Sequence, residues 1–282
     1  MTASAPPVWV DTDIALGSAR GDVDDGFALA ALLAAARVGR IELLGISTVS
    51  GNAPASEAAR CARAIVAAAG SDVPVLRGAS PPESAGDAPT VHAALAALPD
   101  GCRLVSIGPL SNVAAAIAVA PELPGRVSLS VVGGNLSSKG PLSPFWPHEF
   151  NLSKDRSSAK AVLGARWRRL VFHPLDVMRR LRCTGERLDR ISRFGAPGPL
   201  LAAGSRRWLA RSRWRWGAAG FPVWDLPSAL AAAGAFDVEV APVRFPGPQR
   251  RYSGIPDEVF AAVSFDPQEA WRAFDALLSA GG

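Results

Sequence analysis

The sequence predicts an α/β protein of one domain, with a mostly parallel central sheet and helices on both faces of that sheet. Short apolar segments of strand length alternate along the chain with longer Ala- and Leu-rich segments of helical period. Strands that are joined by helices pair in parallel and are buried on both faces. No Pro-, Gly- or Ser-rich linker and no internal repeat divides the chain, so we expect residues 1–282 to form a single domain.

The predicted strands and helices alternate for most of the chain. Apolar runs of strand length, several of them closed by Gly or Pro, predict strands at Val8–Val10, Ile41–Val49, Val73–Leu76, Arg103–Ile107, Val127–Val132, Leu170–Phe172, Val240–Arg244 and Val259–Phe265. Segments of helical period predict helices at Gly26–Arg37, Ala55–Ala69, Val91–Leu98, Ser111–Ala120, Asp155–Leu163, Leu200–Trp216, Leu226–Ala233 and Pro267–Leu278. We expect the last two strands to pair with each other under the last helix. Ligands of such sheets bind at the carboxyl ends of the strands, so functional side chains are expected there.

Composition and charge exclude several classes of protein. The formal net charge is +5, and the densest basic cluster lies at Arg206–Arg215, but no nucleic-acid-binding motif accompanies it, so no nucleic acid partner is expected. No apolar segment reaches the ~20 residues that cross a bilayer. Met1–Val10 lacks a basic region followed by an apolar run, so neither export nor a membrane is predicted. Three scattered cysteines, Cys61, Cys102 and Cys183, predict buried thiols in a reducing cytoplasm.

An acidic cluster follows the first predicted strand. Asp11, Asp13, Asp22, Asp24 and Asp25 place five carboxylates within fifteen residues. One interpretation is a solvated loop in which Asp24 or Asp25 caps the next helix. The other is a cation site, because like charges at the end of a buried strand repel one another unless a cation neutralises them. Oxygen ligands without nearby His or Cys favour Ca²⁺ or Mg²⁺ over Zn²⁺.

Further polar motifs follow in a fixed order. They are Asp11-Thr-Asp13 with Asp24-Asp25-Gly-Phe-Ala-Leu, Ser47-Thr-Val-Ser-Gly-Asn52, Ile107-Gly-Pro-Leu-Ser-Asn112, Val132-Gly-Gly134, Glu149-Phe-Asn151 with Asp155, Pro174-Leu-Asp-Val177, Val223-Trp-Asp225, and Ile255-Pro-Asp257 with the segment from Phe265 to Leu278. The set resembles the DxDxxxDD, TTVxGN, GPLTN, MGG, EFNxxxDPEAA, PLDVT and VHD segments of the inosine-uridine preferring nucleoside hydrolases, and their closing strand and helix. The resemblance covers essentially the whole chain and implies a nucleoside hydrolase-like fold with a Rossmann-like core.

The resemblance implies a calcium site. Its ligands would be the side chains at Asp13, Asp25 and Asp225 and the backbone carbonyl at Ile107, where the family often has Thr. A carbonyl ligand does not depend on side-chain identity, so Ile is compatible with this role. A divalent ion lowers the pKa of a bound water, and Asp13 would accept the proton of that water as it attacks the ribose.

The resemblance also implies a substrate site and an assembly. Asp24, Asn52, Glu149 and Asn151 would hold the ribose hydroxyls of a ribonucleoside. Without the other motifs, Asn52 is as well explained as a turn residue, and Asn151 as a helix-cap residue, as either is by binding ribose. Relatives are usually dimers or tetramers, so a homodimer or homotetramer is expected, with a role in nucleoside metabolism and purine salvage.

The chain departs from the family at the side of the base. Ten residues, Ile14–Val23, separate Asp13 from Asp24 where the common signature has three, and Asp22 within them is a further candidate ligand. Trp224 stands where the inosine-uridine type has the His that is thought to protonate the leaving base. The HGxxGLG segment and a second Asn on the 5′ side have no clear counterpart.

Stacking on an indole is an alternative way to activate a purine leaving group, as is proposed for purine-specific members of the family. Trp224, Trp208 and Trp146 are the candidates for it. The alternative for the tryptophans of the basic helix is that they pack the helix, which we favour for Trp214 and Trp216.

Three functions therefore stay open at the level of sequence. The first is a Ca²⁺-dependent hydrolase that releases base and ribose from a ribonucleoside, with a preference for purines. The second is a related hydrolase of a modified or 5′-phosphorylated nucleoside, with the Arg206–Arg215 segment binding the phosphate. The third is a catalytically weakened homologue that only binds nucleoside or metal.

Overall fold

The structure is a computed structural model that describes residues 4–18, 21–78, 88–137, 149–217 and 220–280. Over these residues an eight-stranded sheet forms the centre of the molecule. The strands are β1 Pro7–Thr12, β2 Glu42–Thr48, β3 Val75–Arg77, β4 Arg103–Ser106, β5 Ser128–Val132, β6 Arg169–His173, β7 Arg182–Cys183, β8 Phe221–Pro222, β9 Glu239–Val243 and β10 Val259–Ser264. The order across the sheet is β3-β2-β1-β4-β5-β6-β10-β9, and β7 and β8 form a separate antiparallel pair.

The sheet is parallel except at one edge. Neighbouring strands from β3 to β10 run parallel, and only β9 pairs antiparallel, with β10. The carboxyl ends of β2, β1, β4 and β5 therefore meet side by side. Because Asp11 lies at the end of β1 and Ile107 follows β4, the polar motifs of the first half of the chain share this edge.

Thirteen helices occur among the described residues. They are α1 Asp25–Arg37, α2 Ala55–Ala68, α3 Ala88–Ala96, α4 Ser111–Val119, α5 Leu123–Arg126, α6 Phe150–Lys154, α7 Arg156–Leu163, α8 Leu175–Met178, α9 Gly185–Ile191, α10 Gly198–Trp216, α11 Leu226–Ala232, α12 Gly247–Ser253 and α13 Pro267–Ser279. None of the helices in the described part of the chain has both the length and the apolar character needed to span a bilayer.

Two apolar layers cover the two faces of the sheet. Val8 and Val10 of β1 belong to one layer, and Trp9 between them belongs to the other, as the alternation of a strand requires. On the first face α1 packs against α11 and α13. Phe27 of α1 lies there with its ring centroid 6.1 Å from that of Phe221 and 6.2 Å from that of Trp271. On the other face α4 packs against α3 and α7.

The fold class predicted from the sequence is confirmed: this is an α/β domain with a mostly parallel sheet between helical layers. The eight predicted strands and eight predicted helices are all present, with ends that differ by at most a few residues. The antiparallel terminal pair is β9 with β10. The short elements α5, α6, α8, α9 and α12 and the pair β7–β8 were not predicted. All three cysteines are buried free thiols, as expected.

Candidate active site

Asp11 lies at the carboxyl end of β1, where its Oδ1 is hydrogen-bonded and its Oδ2 is buried without a partner among the described residues. Its Oδ1 accepts from Ser47 Oγ at 2.5 Å and from Asn112 Nδ2 at 2.9 Å. Trp9 Nε1 donates to Ser47 Oγ at 3.0 Å, and Asn112 Nδ2 also donates to the Thr48 carbonyl at 3.0 Å. Burial raises the pKa of Asp11 to about 7, although these two donors oppose the rise. Asp11 thus ties the ends of β1, β2 and α4 together.

Asp13 follows β1 and faces the turn after β2. Its Oδ2 accepts the backbone N–H of Asn52 at 2.6 Å, whereas its Oδ1 is buried without a hydrogen-bond partner among the described residues. A Cβ on Gly51 would overlap this carboxylate, so only glycine fits at that position. Burial raises the pKa of Asp13 to about 7, the Asn52 N–H lowers it, and the nearby Asp225 carboxylate raises it further.

Asp24, Asp25 and Asp225 form a compact buried group. Each contributes a carboxylate oxygen, and the three oxygens lie within 4.8 Å of one another. Asp24 and Asp25 begin α1, and Asp225 stands just before α11, so two helix starts 200 residues apart in sequence meet here. Burial raises the pKa of each of the three carboxyls well above that of an ordinary aspartate, and repulsion among the carboxylates adds to the rise.

The solvated, helix-capping interpretation of the acidic cluster does not hold for this group. Asp24 occupies the N-cap position of α1, but its side chain makes no capping hydrogen bond. Instead, its Oδ2 accepts the backbone N–H of Trp224 at 3.0 Å. Asp25 Oδ1 accepts from Thr12 Oγ1 at 2.5 Å, and both aspartates are buried.

The residues present are compatible with a divalent cation. Asp13 Oδ1 and Asp25 Oδ2 are both buried and unpartnered within the described part of the chain. Hard anionic oxygens left without donors are what a Ca²⁺ or Mg²⁺ ion requires. The Ile107 carbonyl is at the same edge and accepts Asn151 Nδ2 at 3.1 Å, which leaves its second lone pair.

Glu149 and Asn151 lie at the start of α6. The two Glu149 oxygens accept the backbone N–H groups of Leu152 at 2.5 Å and of Asn151 at 2.9 Å, so Glu149 is the helix cap. Burial raises the pKa of Glu149 to about 7 against these donors. Asn151 Nδ2 bonds the carbonyls of Ile107 and Val132 at 3.1 and 3.0 Å. Because both N–H groups of the Asn151 amide are used on backbone, only its oxygen remains for a ligand.

The tryptophans divide between the core and the surface. Trp224 is 8% exposed beside Asp225, and Trp208 on α10 has a buried indole N–H without a partner among the described residues. Trp214 is 81% exposed, so the prediction that it packs the helix is wrong. It lies on the outer, arginine-rich side of α10. Trp146 lies outside the described residues.

Sequence reasoning assigned no role to Asn112, Ser47 or Thr12, which orient the aspartates. Their partners are 101, 36 and 13 residues away along the chain, and only the sheet brings them together. Asn112 was visible as the last residue of the Ile107–Asn112 motif, and its polar side chain on an apolar helix was the available signal.

The comparison with known families decides the class of this site. The family model of the inosine-uridine preferring nucleoside hydrolases matches residues 8–268. This span includes every aspartate of the candidate site, from Asp11 to Asp225. The chain belongs to this nucleoside hydrolase family. This nucleoside hydrolase is therefore an N-glycosidase, and its reaction class is hydrolysis of the N-glycosidic bond of ribonucleosides.

Relatives and solved structures agree with this membership. An uncharacterized protein of Schizosaccharomyces pombe is 32% identical over 239 residues, which cover 72% of this chain and 76% of the relative. The non-specific ribonucleoside hydrolase RihC of Escherichia coli is 25% identical over 226 residues, 70% of each chain. A plant nucleoside hydrolase superposes with a TM-score of 0.75 at 20% identity, covering 98% of this nucleoside hydrolase and 99% of the plant chain.

A purine-preferring ribonucleoside hydrolase from Gardnerella vaginalis superposes with the same TM-score of 0.75 at 20% identity, and 98% of each chain is covered. At this identity the two superpositions establish the fold.

Proposed function

We propose that this nucleoside hydrolase is Ca²⁺-dependent and prefers purine ribonucleosides, from which it releases free base and ribose. The observation that carries the proposal is that Asp13 Oδ1 and Asp25 Oδ2, near the Asp225 carboxylate, are buried and have no hydrogen-bond partner among the described residues. Several buried carboxylates at one strand edge are costly to keep without a counter-ion, which supports a resident dication.

The proposed Ca²⁺ ligands are the side chains of Asp13, Asp25 and Asp225 and the Ile107 carbonyl. When bound, the cation would orient a water molecule and lower its pKa. Asp24 belongs to the same compact group, but its Oδ2 already accepts the Trp224 N–H. We therefore assign Asp24 to the ribose rather than to the cation.

Asp13 is the proposed general base. Its Oδ2 is fixed by the Asn52 N–H, and its Oδ1, which has no partner among the described residues, has one lone pair for the cation and one for the proton of the attacking water. The remaining carboxylates stabilise the positive charge that develops on the ribose ring as the bond to the base breaks.

Asp24, Asn52, Glu149 and Asn151 are proposed to hold the ribose. The hydrogen bonds that Asn151 and Glu149 make within the protein determine which of their atoms remain for the sugar. Asn151 presents its amide oxygen to a hydroxyl, because its N–H groups bond the Ile107 and Val132 carbonyls. Glu149 is held rigid by backbone donors that include Asn151 and Leu152, so its carboxylate accepts from the sugar at a fixed position.

The preference for purines rests on tryptophan. Trp224 replaces a protonating histidine, and an indole carries no transferable proton near neutral pH, so activation of the base depends on stacking. A purine offers the larger stacking surface. Trp208, whose buried indole N–H lacks a partner among the described residues, is the proposed donor to the base. By the same resemblance, we propose a cytoplasmic homodimer or homotetramer.

A panel of substrates tests the proposed function. Release of reducing sugar is measured with purine and pyrimidine ribonucleosides and with their 5′-monophosphates, in the presence of Ca²⁺ and of a chelator. The expected result is release from ribonucleosides, fastest with inosine or guanosine, and loss of release in the chelator with recovery on adding Ca²⁺. Release only from the monophosphates, release that chelation leaves unchanged, or no release from any compound would contradict the proposal.

A further inference from the structure

Both limbs of the loop between Asp13 and Asp24, as far as the structure describes them, begin or end in buried residues. Ile14, Ala15 and Val23 are fully buried. A Cβ on Gly21 would overlap Ala15 and come 3.0 Å from the Asn52 carbonyl, so the returning limb of the loop lies directly against its own start and against the turn after β2. The packing of this limb directs Asp22, the next residue, toward the site.

Asp22 lies between the loop backbone and Trp224. Its Oδ1 accepts the backbone N–H of Val23 at 2.7 Å, and the Trp224 side chain and the Asp24 carboxyl lie close enough to its carboxylate to lower its pKa, against the larger effect of burial. An indole has a single donor, so a hydrogen bond to Asp22 uses the one polar group of the Trp224 ring.

Trp224 therefore faces two carboxylates that lie two positions apart in the sequence. Asp24 Oδ2 accepts its backbone N–H at 3.0 Å, and the Asp22 carboxylate lies beside its side chain. An indole ring with a free N–H can rotate about its side-chain torsions, and ordering it on binding costs free energy. A ring that is already bonded does not carry this cost.

We propose that Asp22 is a positioning residue for substrate specificity: it fixes the Trp224 ring in the orientation that stacks on a purine. The proposal rests on the proposed function, in which Trp224 stands beside the leaving base. In this proposal Asp22 acts on the Trp224 indole and is not a ligand of the cation. Asp22→Asn should preserve this role, since an amide both accepts from the indole and donates to Asp24.

A double-mutant cycle tests the proposal. The variants are Asp22→Ala, Asp22→Asn, Trp224→Phe and the Asp22→Ala/Trp224→Phe double variant, with Asp72→Ala as an exposed control, and kcat and KM are measured for inosine and uridine. Asp22→Ala should lower kcat/KM for inosine about tenfold and change uridine less than threefold. Asp22→Asn should restore the inosine value. In the Trp224→Phe background, where the indole N–H is absent, Asp22→Ala should have less than a twofold effect.

Other outcomes would overturn the proposal. Equal losses for both nucleosides, or the same loss in the Trp224→Phe background, would show that Asp22 does not act through the ring. A large loss of Ca²⁺ affinity in Asp22→Ala, measured by calorimetry, would make Asp22 a cation ligand instead. If Asp22→Ala does not fold, Asp22→Ser replaces it, because a serine hydroxyl is too short to reach the indole.

A crystal structure of Asp22→Ala separates this proposal from the proposed function. The Trp224 ring should be displaced or disordered in it, whether or not the wild-type protein hydrolyses any nucleoside. An unchanged ring would refute the positioning role. Absence of all wild-type activity would refute the proposed function instead.

Discussion

Among the described residues, Asp13 Oδ2 accepts the Asn52 N–H and Asp13 Oδ1 has no partner, which is the arrangement that the proposed general base requires. The same geometry explains why its neighbours matter. Gly51 leaves room for the carboxylate, and Asn52 supplies the N–H that orients it. The reactivity of this single side chain therefore depends on the turn that follows β2.

Replacing Asp13 separates catalysis from folding. Asp13→Ala should lower kcat/KM for the best nucleoside by about 10³-fold or more, because the proton acceptor is lost. The cation-free protein should melt no lower than the wild type, since one of several mutually repelling buried carboxylates is removed. Asp72→Ala is the matched exposed control, and wild-type turnover in Asp13→Ala would refute the role of general base.

The sequence was informative about which acidic residues come together and much less about how they are held. Asp13, Asp25 and Asp225 were predicted from ordered motifs. The structure groups Asp25 and Asp225 with Asp24, and Asp13 lies near enough for the Asp225 carboxylate to raise its pKa. The donors Ser47, Thr12 and Asn112 were not predicted, because a hydrogen bond between distant residues leaves no local pattern in a sequence. Asn151 was predicted as a ribose ligand, yet its N–H groups bond backbone carbonyls that no periodicity could reveal.

The long elements were predictable because each buries an apolar stripe or face of sufficient length. α1 is buried from Asp25 to Ala35, and its Ala-rich sequence allows α11 and α13 to approach closely. The missed helices have four to seven residues, for example α8 and α12, which is too short for a 3.6-residue period to be recognised. Such elements are specified by tertiary packing.

The turn between β2 and α2 offers a test at the level of elements. Gly51→Ala should lower kcat/KM by about 10²-fold, because the added methyl overlaps Asp13 and must displace either the carboxylate or the turn. Gly125→Ala is the matched control, since the same methyl at the short helix α5 meets no atom within 4 Å. Equal activity of the two variants would show that the turn does not position Asp13.

At the scale of the whole molecule, the sequence predicted the sheet class but not the strand order. Parallel strands joined by helices can be arranged in several orders, and the choice depends on packing between layers. The order that forms places β1 between β2 and β4, so the motifs after three neighbouring strands converge. Asp225 reaches the same edge only because α11 packs on α1.

His173, which is not among the proposed site residues, makes the free energy of unfolding depend on pH. Burial lowers the pKa of His173, at the end of β6, to about 4, from an ordinary value of 6.5. Between these two values the unfolded chain binds a proton that the folded chain does not, so the free energy of unfolding falls as the pH falls through this range. This one residue accounts for a loss of roughly 3 kcal/mol.

His173→Leu should remove that loss. The variant should have a flatter dependence of unfolding free energy on pH between 7 and 4 than the wild type, measured by urea denaturation at matched pH values. Other acidic groups titrate in both proteins, so the difference between the two curves isolates His173. Parallel curves would show that the histidine is not held neutral.

The central claim is that aspartates far apart in the sequence hold one dication. Calorimetric titration of Ca²⁺ into chelator-treated protein tests this claim most directly. We expect one ion per chain, with binding lost in Asp25→Asn and unchanged in Asp72→Asn, because Asp25 Oδ2 is a buried carboxylate oxygen without a hydrogen-bond partner in the described structure. Absence of binding in the wild type, or equal affinity in Asp25→Asn, would contradict the account.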